Sequence, residues 1–223
     1  EVLDVFQKKA IACNADMKIS RIPKNINVNS RGTQFTFNNQ DYTIPLFGSH
    51  QARNAGLAID VINQFDPHIK YDIIHKALKK VFWPGRMQKI EQRVFYDVSH
   101  NKKGMEKTFQ TLKELYPDKD IHGLLCLKKD KDLISLKSLI LKNLKTLIVS
   151  EDQKGLLLNS TVLAKELARL NIKCNKVNSL EDGIVILKNL VKKNSSIGLI
   201  FGSHYIAEEV FHVFEISFDN YYI

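Results

Sequence analysis

Apolar residues recur at three- and four-residue intervals in the first stretch, where Val2, Val5, Phe6, Ala10 and Cys13 share one side of a helical wheel, so the pattern predicts a helix over residues 1–17. Nothing ahead of it in this sequence supplies a surface for that side, and the expectation is a piece cut from a longer chain. Over residues 18–45 the pattern becomes short and extended. Gln34-Phe35-Thr36-Phe37-Asn38 and Asp41-Tyr42-Thr43-Ile44 flank a polar turn, which predicts a hairpin. Helices are expected over 49–65, where Ala52, Ala55, Ala58 and Ile62 allow close packing, and over 71–82, stopped by Pro84-Gly85.

Beyond that pair the periodicity alternates. Strands over 87–90 and 93–98 lead to a helix over 102–115 that turns Met105, Phe109, Leu112 and Leu115 inward. Strands at 123–127, 146–150, 173–177 and 197–201 then alternate with helices at 133–142, 161–170, 180–193 and 205–214. Continuous apolar runs such as Leu147-Ile148-Val149 suit strands covered on both faces. The fold class is therefore α/β, a Rossmann-like, mostly parallel sheet flanked by helices over residues 86–223, preceded by an incomplete piece over 1–85.

Composition narrows the partners. With 223 residues, 44% of them hydrophobic and 26% charged, the chain can bury a core. No run approaches the roughly 18 apolar residues of a membrane span, and residues 1–9 are charged and amphipathic, so a soluble, cytoplasmic protein with no membrane partner is expected. The net charge of +9 invites an acidic partner, but the lysines are scattered, without an arginine stripe or interleaved aromatics, and no nucleic acid is expected. Cys13, Cys126 and Cys174 are odd in number and far apart, which reads as free thiols, and the seven histidines lack metal-ligand spacing.

Three stretches carry chemistry. In Phe47-Gly48-Ser49-His50-Gln51-Ala52-Arg53-Asn54 a turn feeds a helix start dense in hydrogen-bonding side chains, and an amide there can read a purine edge or simply cap the helix. Trp83-Pro84-Gly85-Arg86 is a rigid turn that would fix one guanidinium for bidentate phosphate contacts, although a Gly-Arg turn is also common in its own right. In Asp97-Val98-Ser99-His100-Asn101 a hydrophobic strand ends in polar groups where open α/β sheets bind ligands, with Asn101 as a plain helix cap the bland alternative.

Together, LxGxHQxxNA, WPGR about thirty residues later and DxxHN about ten further resemble the central-to-C-terminal region of folylpolyglutamate synthase/dihydrofolate synthase in the Mur ligase superfamily. Asp130-Lys131-Asp132 and Gly202-Ser203-His204-Tyr205 are weaker echoes, and the resemblance covers essentially the whole chain. It implies that residues 1–85 end a P-loop ATPase-type central domain and that 86–223 form the C-terminal ligase domain. It also implies ATP and Mg²⁺ as cofactors, L-glutamate and dihydropteroate or folate as substrates, and an acyl-phosphate intermediate. By the same resemblance Asn54 would contact adenine, Arg86 the phosphates or ribose, and Asp97 the ribose hydroxyls. Gln51 and His50 would line the cleft, with Arg86 and His100 as the catalytic candidates, His100 near the glutamate or acyl phosphate.

Two departures bear on activity. Ser99 and Lys102 replace the usual Ala and Pro of DxAHNP, and no GxxxxGK[ST] phosphate loop occurs, so the magnesium and most phosphate contacts would come from elsewhere and the chain alone is expected to be inactive. The rivals are a stand-alone nucleotide- or protein-binding module without catalysis, favoured by the missing loop, and a muramyl-peptide ligase fragment, disfavoured by the His-Gln pair and the WPGR to DxxHN spacing.

Overall fold

A computed structural model describes residues 2–217. Its first helix, α1 (Val2–Ala12), buries none of its residues and leaves Val5, Phe6 and Ile11 exposed. The expected helix ran to residue 17, but Asn14 takes φ 50°, a left-handed conformation that stops a helix. Glu1, the expected first helical residue, lies outside the described residues.

The expected hairpin is present as β2 (Gly32–Phe37) and β3 (Gln40–Ile44), with Phe35 opposite Tyr42 and Gln34 opposite Thr43. A third antiparallel strand, β1 (Lys24–Asn29), pairs with β2, and the sequence pattern gives no sign of it. Its Lys-Asn-Ile-Asn-Val-Asn buries no side chain fully, and side-chain bonds from Asn25 to Thr36 and Asn29 to Gln34 supplement the ladder. Against β2 and β3 pack α2 (Ser49–Phe65) and α3 (Tyr71–Leu78). Phe35, Phe37, Tyr42 and Ile44 close over Ala52, Ala55, Ile59 and Ile74.

The second sheet runs β4-β5-β9-β6-β7-β8. Its strands are β4 (Gln88–Glu91), β5 (Val94–Asp97), β6 (Ile121–Leu125), β7 (Thr146–Val149), β8 (Asn175–Lys176) and β9 (Ile197–Phe201). Only β4 is antiparallel, as the edge partner of β5, so the mostly parallel α/β sheet read from the sequence is what forms. Odd and even strand positions face opposite ways. Phe95, Leu125, Val149, Leu199 and Phe201 meet α4 (Lys102–Leu115), α5 (Leu133–Asn143) and α6 (Ser160–Arg169). On the other face Tyr96, Leu124, Ile148 and Ile200 meet α7 (Leu180–Asn194) and α8 (Ala207–Val213). The two sheets are joined where Phe47 sets its ring edge on Phe95, at 6.1 Å between centroids, and where α4 packs against β1.

One core residue sits poorly. His122, on β6, is 2% exposed, and neither ring nitrogen has a protein partner. Burial lowers its pKa below the ordinary 6.5, Asp120 opposes this, and Lys145 reinforces it. Below that ordinary value the unfolded chain takes up a proton that the folded chain resists, so this contribution to stability is present above 6.5 and is lost as the pH falls from there toward the folded pKa. His122→Leu should therefore flatten the fall in urea midpoint between about pH 7.5 and about pH 5.5. An equal fall in both proteins would remove His122 as its cause.

Candidate functional site

The small sheet ends in Pro45-Leu46-Phe47-Gly48 and hands the chain to α2. Thr33 fixes this corner: its hydroxyl oxygen accepts from the Gly48 amide at 3.0 Å and donates to the Leu46 carbonyl at 2.7 Å. Gly48 is the N-cap residue and offers no side-chain cap to the helix. Gln51 and Asn54, three apart, share one helix face. The Asn54 Nδ2 donates to Gln51 Oε1 at 3.0 Å, which ties the two amides together and leaves the Gln51 Nε2 hydrogens and the Asn54 Oδ1 as donor and acceptor for another partner.

These side chains line a cavity of about 480 Å³. Ile44, Leu46, Leu78, Val81 and Trp83 give it apolar walls, and His50, Gln51, Asn54 and Arg86 give it polar ones. Apolar walls with a few convergent polar groups are the usual makeup of a small-molecule site. The His50 Nδ1 is buried without a protein partner. Burial lowers the His50 pKa below 6.5; Asp97 and Glu114 oppose it and Lys107 and Arg86 add to it, so the imidazole is neutral at pH 7.

Arg86 reaches the cavity from a clamped turn. Gly85 has φ 67°, and a Cβ there would come within 2.6 Å of the Val98 side chain, so the position needs glycine. The Val98 amide donates to the Gly85 carbonyl at 2.8 Å, and the Gly85 amide donates to Gln88 Oε1 at 2.9 Å. Met87 also has positive φ, 48°, while its side chain is 1% exposed in the core. The Met87 amide donates to Asp97 Oδ2 at 2.8 Å.

The structure thus brings together His50, Gln51, Asn54 and Arg86. Asp97 and His100 are not among the residues that line this cavity. Asp97, at the end of β5, is 6% exposed, and its Oδ1 accepts from the Ser99 amide at 2.8 Å and the Thr108 hydroxyl at 3.0 Å. His100 is half-buried with Nδ1 3.1 Å from the Val98 carbonyl. Asn101 caps α4, accepting from the Gly104 amide at 2.9 Å. Of the weaker motifs, Asp132 caps α5. In the other, the Ser203 Oγ accepts from the Tyr205 amide and its carbonyl accepts from the buried Tyr96 hydroxyl at 2.8 Å. Sequence reasoning named Trp83 only as part of a turn and did not name Leu78 or Val81, because an apolar wall built by a loop and a separate helix has no local signature.

No protein-family model matches the chain. Its architecture, a parallel α/β sheet joined to a small antiparallel sheet, is shared with Mur-ligase-type enzymes of known structure, among them the UDP-N-acetylmuramate-alanine ligase MurC of Thermotoga maritima, at TM-score 0.63 and 13% identity over 86% of this chain and 45% of that one. More particularly, it resembles folylpolyglutamate and dihydrofolate synthases. The chain is 29% identical over 192 residues to a dihydrofolate synthase/folylpolyglutamate synthase of Bacillus subtilis, covering 80% of this chain and 44% of that protein. Folylpolyglutamate synthase of Mycobacterium tuberculosis, solved with ADP and AMPPCP, superposes at TM-score 0.87 with 21% identity over 97% of this chain and 53% of that one. A UDP-N-acetylmuramoyl-L-alanyl-D-glutamate–2,6-diaminopimelate ligase of Rickettsia rickettsii is 31% identical over 112 residues, 47% of this chain and 22% of that protein. The chain spans about half the length of these synthases.

Proposed function

We propose that the cavity between α2 and the Arg86 turn receives the adenine end of ATP, and that the chain is part of a ligase joining L-glutamate to dihydropteroate or folate. The observation that carries this is the oriented amide pair beside a guanidinium in an apolar cavity. Adenine presents N7 as acceptor and N6–H₂ as donor on one edge. With Asn54 Nδ2 committed to Gln51, the Gln51 Nε2 and Asn54 Oδ1 are the complementary donor and acceptor. The apolar walls suit the base, and the neutral His50 adds no charge beside it. Arg86 then addresses the phosphates. Three donors already occupy the buried Asp97 carboxylate, which lies outside the cavity lining, and no ribose contact is proposed for it. His100, just past the end of β5 and outside the cavity lining, is the residue this reading gives to the incoming glutamate or the acyl phosphate.

ATP would supply the γ-phosphoryl group that activates the folate carboxylate for attack by the glutamate amine. Among the described residues no group of three or more His, Cys, Asp or Glu could hold a metal ion. The names of the relatives support the ligase class, and the diaminopimelate ligase among them makes a muramyl-peptide ligase the second reading.

Trp83 is the sole tryptophan and lines the cavity, so its fluorescence reports occupancy. ADP should change it at lower concentration than GDP. Arg86→Ala should weaken ADP about tenfold, the loss of one charged hydrogen bond, while leaving adenosine unchanged. Equal response to ADP and GDP would sink the adenine reading. ADP release that depends on L-glutamate and dihydropteroate or a reduced folate, by the protein carrying this chain, tests the ligase reading. Release dependent on a muramyl peptide instead would move it to the second.

A further inference from the structure

We propose that Asp97 is a positioning residue, clamped by Thr108 of α4, that holds the turn carrying Arg86 so that its guanidinium faces the cavity. This rests on the nucleotide reading of that cavity. Arg86 stands between two residues of positive φ, Gly85 at 67° and Met87 at 48°. For Met87 that conformation is unfavourable by itself, because its Cβ crowds the backbone. Two things oppose it: the side chain is 1% exposed in the core, and the amide donates to Asp97 Oδ2 at 2.8 Å. The carboxylate is therefore a side-chain tie between the Arg86 turn and the end of β5, beside the backbone bond from Val98 to Gly85.

That tie is itself held. Asp97 is 6% exposed and Thr108 2% exposed. Thr108 Oγ1 lies 3.0 Å from Asp97 Oδ1 and 3.1 Å from both Ser99 Oγ and the Gly104 carbonyl. A hydroxyl has one proton to give, and an ionised carboxylate is the strongest of these acceptors, so the proton points at Asp97. The Ser99 amide, at 2.8 Å, completes the grip on Oδ1. A carboxylate gripped through Oδ1 has one orientation in which Oδ2 meets the Met87 amide. Thr108 lies on α4 and is not among the cavity-lining residues, so it does not itself meet the ligand.

The test is a double-mutant cycle on the whole chain, read by Trp83 fluorescence with ADP and with adenosine, and with urea midpoints as the fold control. Thr108→Val keeps the shape and removes the hydroxyl. It should raise the ADP dissociation constant about fivefold, and add nothing in the Arg86→Ala background, where the group it positions is gone. Thr108→Ser should restore wild-type binding, and adenosine affinity should stay constant throughout. Thr108→Val that weakens ADP equally with and without Arg86, or that lowers the urea midpoint while leaving ADP affinity intact, overturns the positioning role. No ADP binding by the wild-type chain overturns the nucleotide reading and this role with it, whereas ADP binding indifferent to Thr108 overturns this role alone.

Discussion

Gly202→Ala should destabilise the chain by about 3 kcal/mol or more and lower the melting temperature by roughly 6–12 °C. Gly202 follows β9 at φ 108°, where side-chain-bearing residues are strained. A Cβ there would lie 2.3 Å from the Cys126 carbonyl oxygen and 2.6 Å from a Leu125 methyl. The oxygen belongs to backbone and cannot swing aside. The Cys126 amide donates to the Phe201 carbonyl at 3.1 Å, so relief would require parting β9 from β6. Chemical denaturation measures the cost. An unchanged midpoint would mean that the glycine turn after β9 relaxes without disturbing the sheet.

The second large effect is expected from Phe109→Ala, at about 3–5 kcal/mol. Phe109 is 2% exposed, and its ring meets Phe201 edge-on, 5.9 Å between centroids at 72°. It lies on the same helix as Met105 and Leu112, both fully buried, so α4 is pressed onto the sheet along one stripe. A cycle with Phe201→Leu should show a coupling of about 0.5–1.5 kcal/mol beyond the separate losses. Additive losses would reduce the ring pair to ordinary burial. Because α4 also carries Thr108 and the Asn101 cap, loosening it reaches the Asp97 clamp as well.

Why some of this was legible in the sequence and some not comes down to locality. The runs Leu147-Ile148-Val149 and Ile197-Gly198-Leu199-Ile200-Phe201 are buried throughout or nearly so, and burial on both faces leaves a continuous apolar signature in the text. Helix α7 announces itself with Ser179, whose side chain accepts from the Asp182 amide. By contrast β1 is held by ladder bonds and asparagine side chains, and its burial pattern alternates weakly, so periodicity cannot find it. Tyr205 was expected to open the last helix, but its amide is spent on Ser203 Oγ, and α8 begins at Ala207.

The candidate site divides in the same way. His50, Gln51 and Asn54 lie within five residues on one helix, so spacing alone put them together, and the Arg86 turn was readable from Pro84 and Gly85. The enclosure by Leu78, Val81 and Trp83 was not, since it arises where the chain leaves α3 and folds back. Nor was the engagement of Asp97 by Met87, Ser99 and Thr108, because two of those partners stand ten and eleven residues away.

The position of β9 has a kinetic consequence. It is the last strand among the described residues and yet lies between β5 and β6, the first two parallel strands. Until residues 197–201 have arrived, β5 and β6 have no partner between them, and each presents an open edge able to pair with another molecule. Closing that gap joins segments about a hundred residues apart, since Val94 pairs with Gly198 and Phe95 with Leu199. Such closure is slow relative to local helix formation. During synthesis, therefore, the sheet can be completed only after residues 197–201 have left the ribosome, and the interval before that is when the chain is most exposed to aggregation.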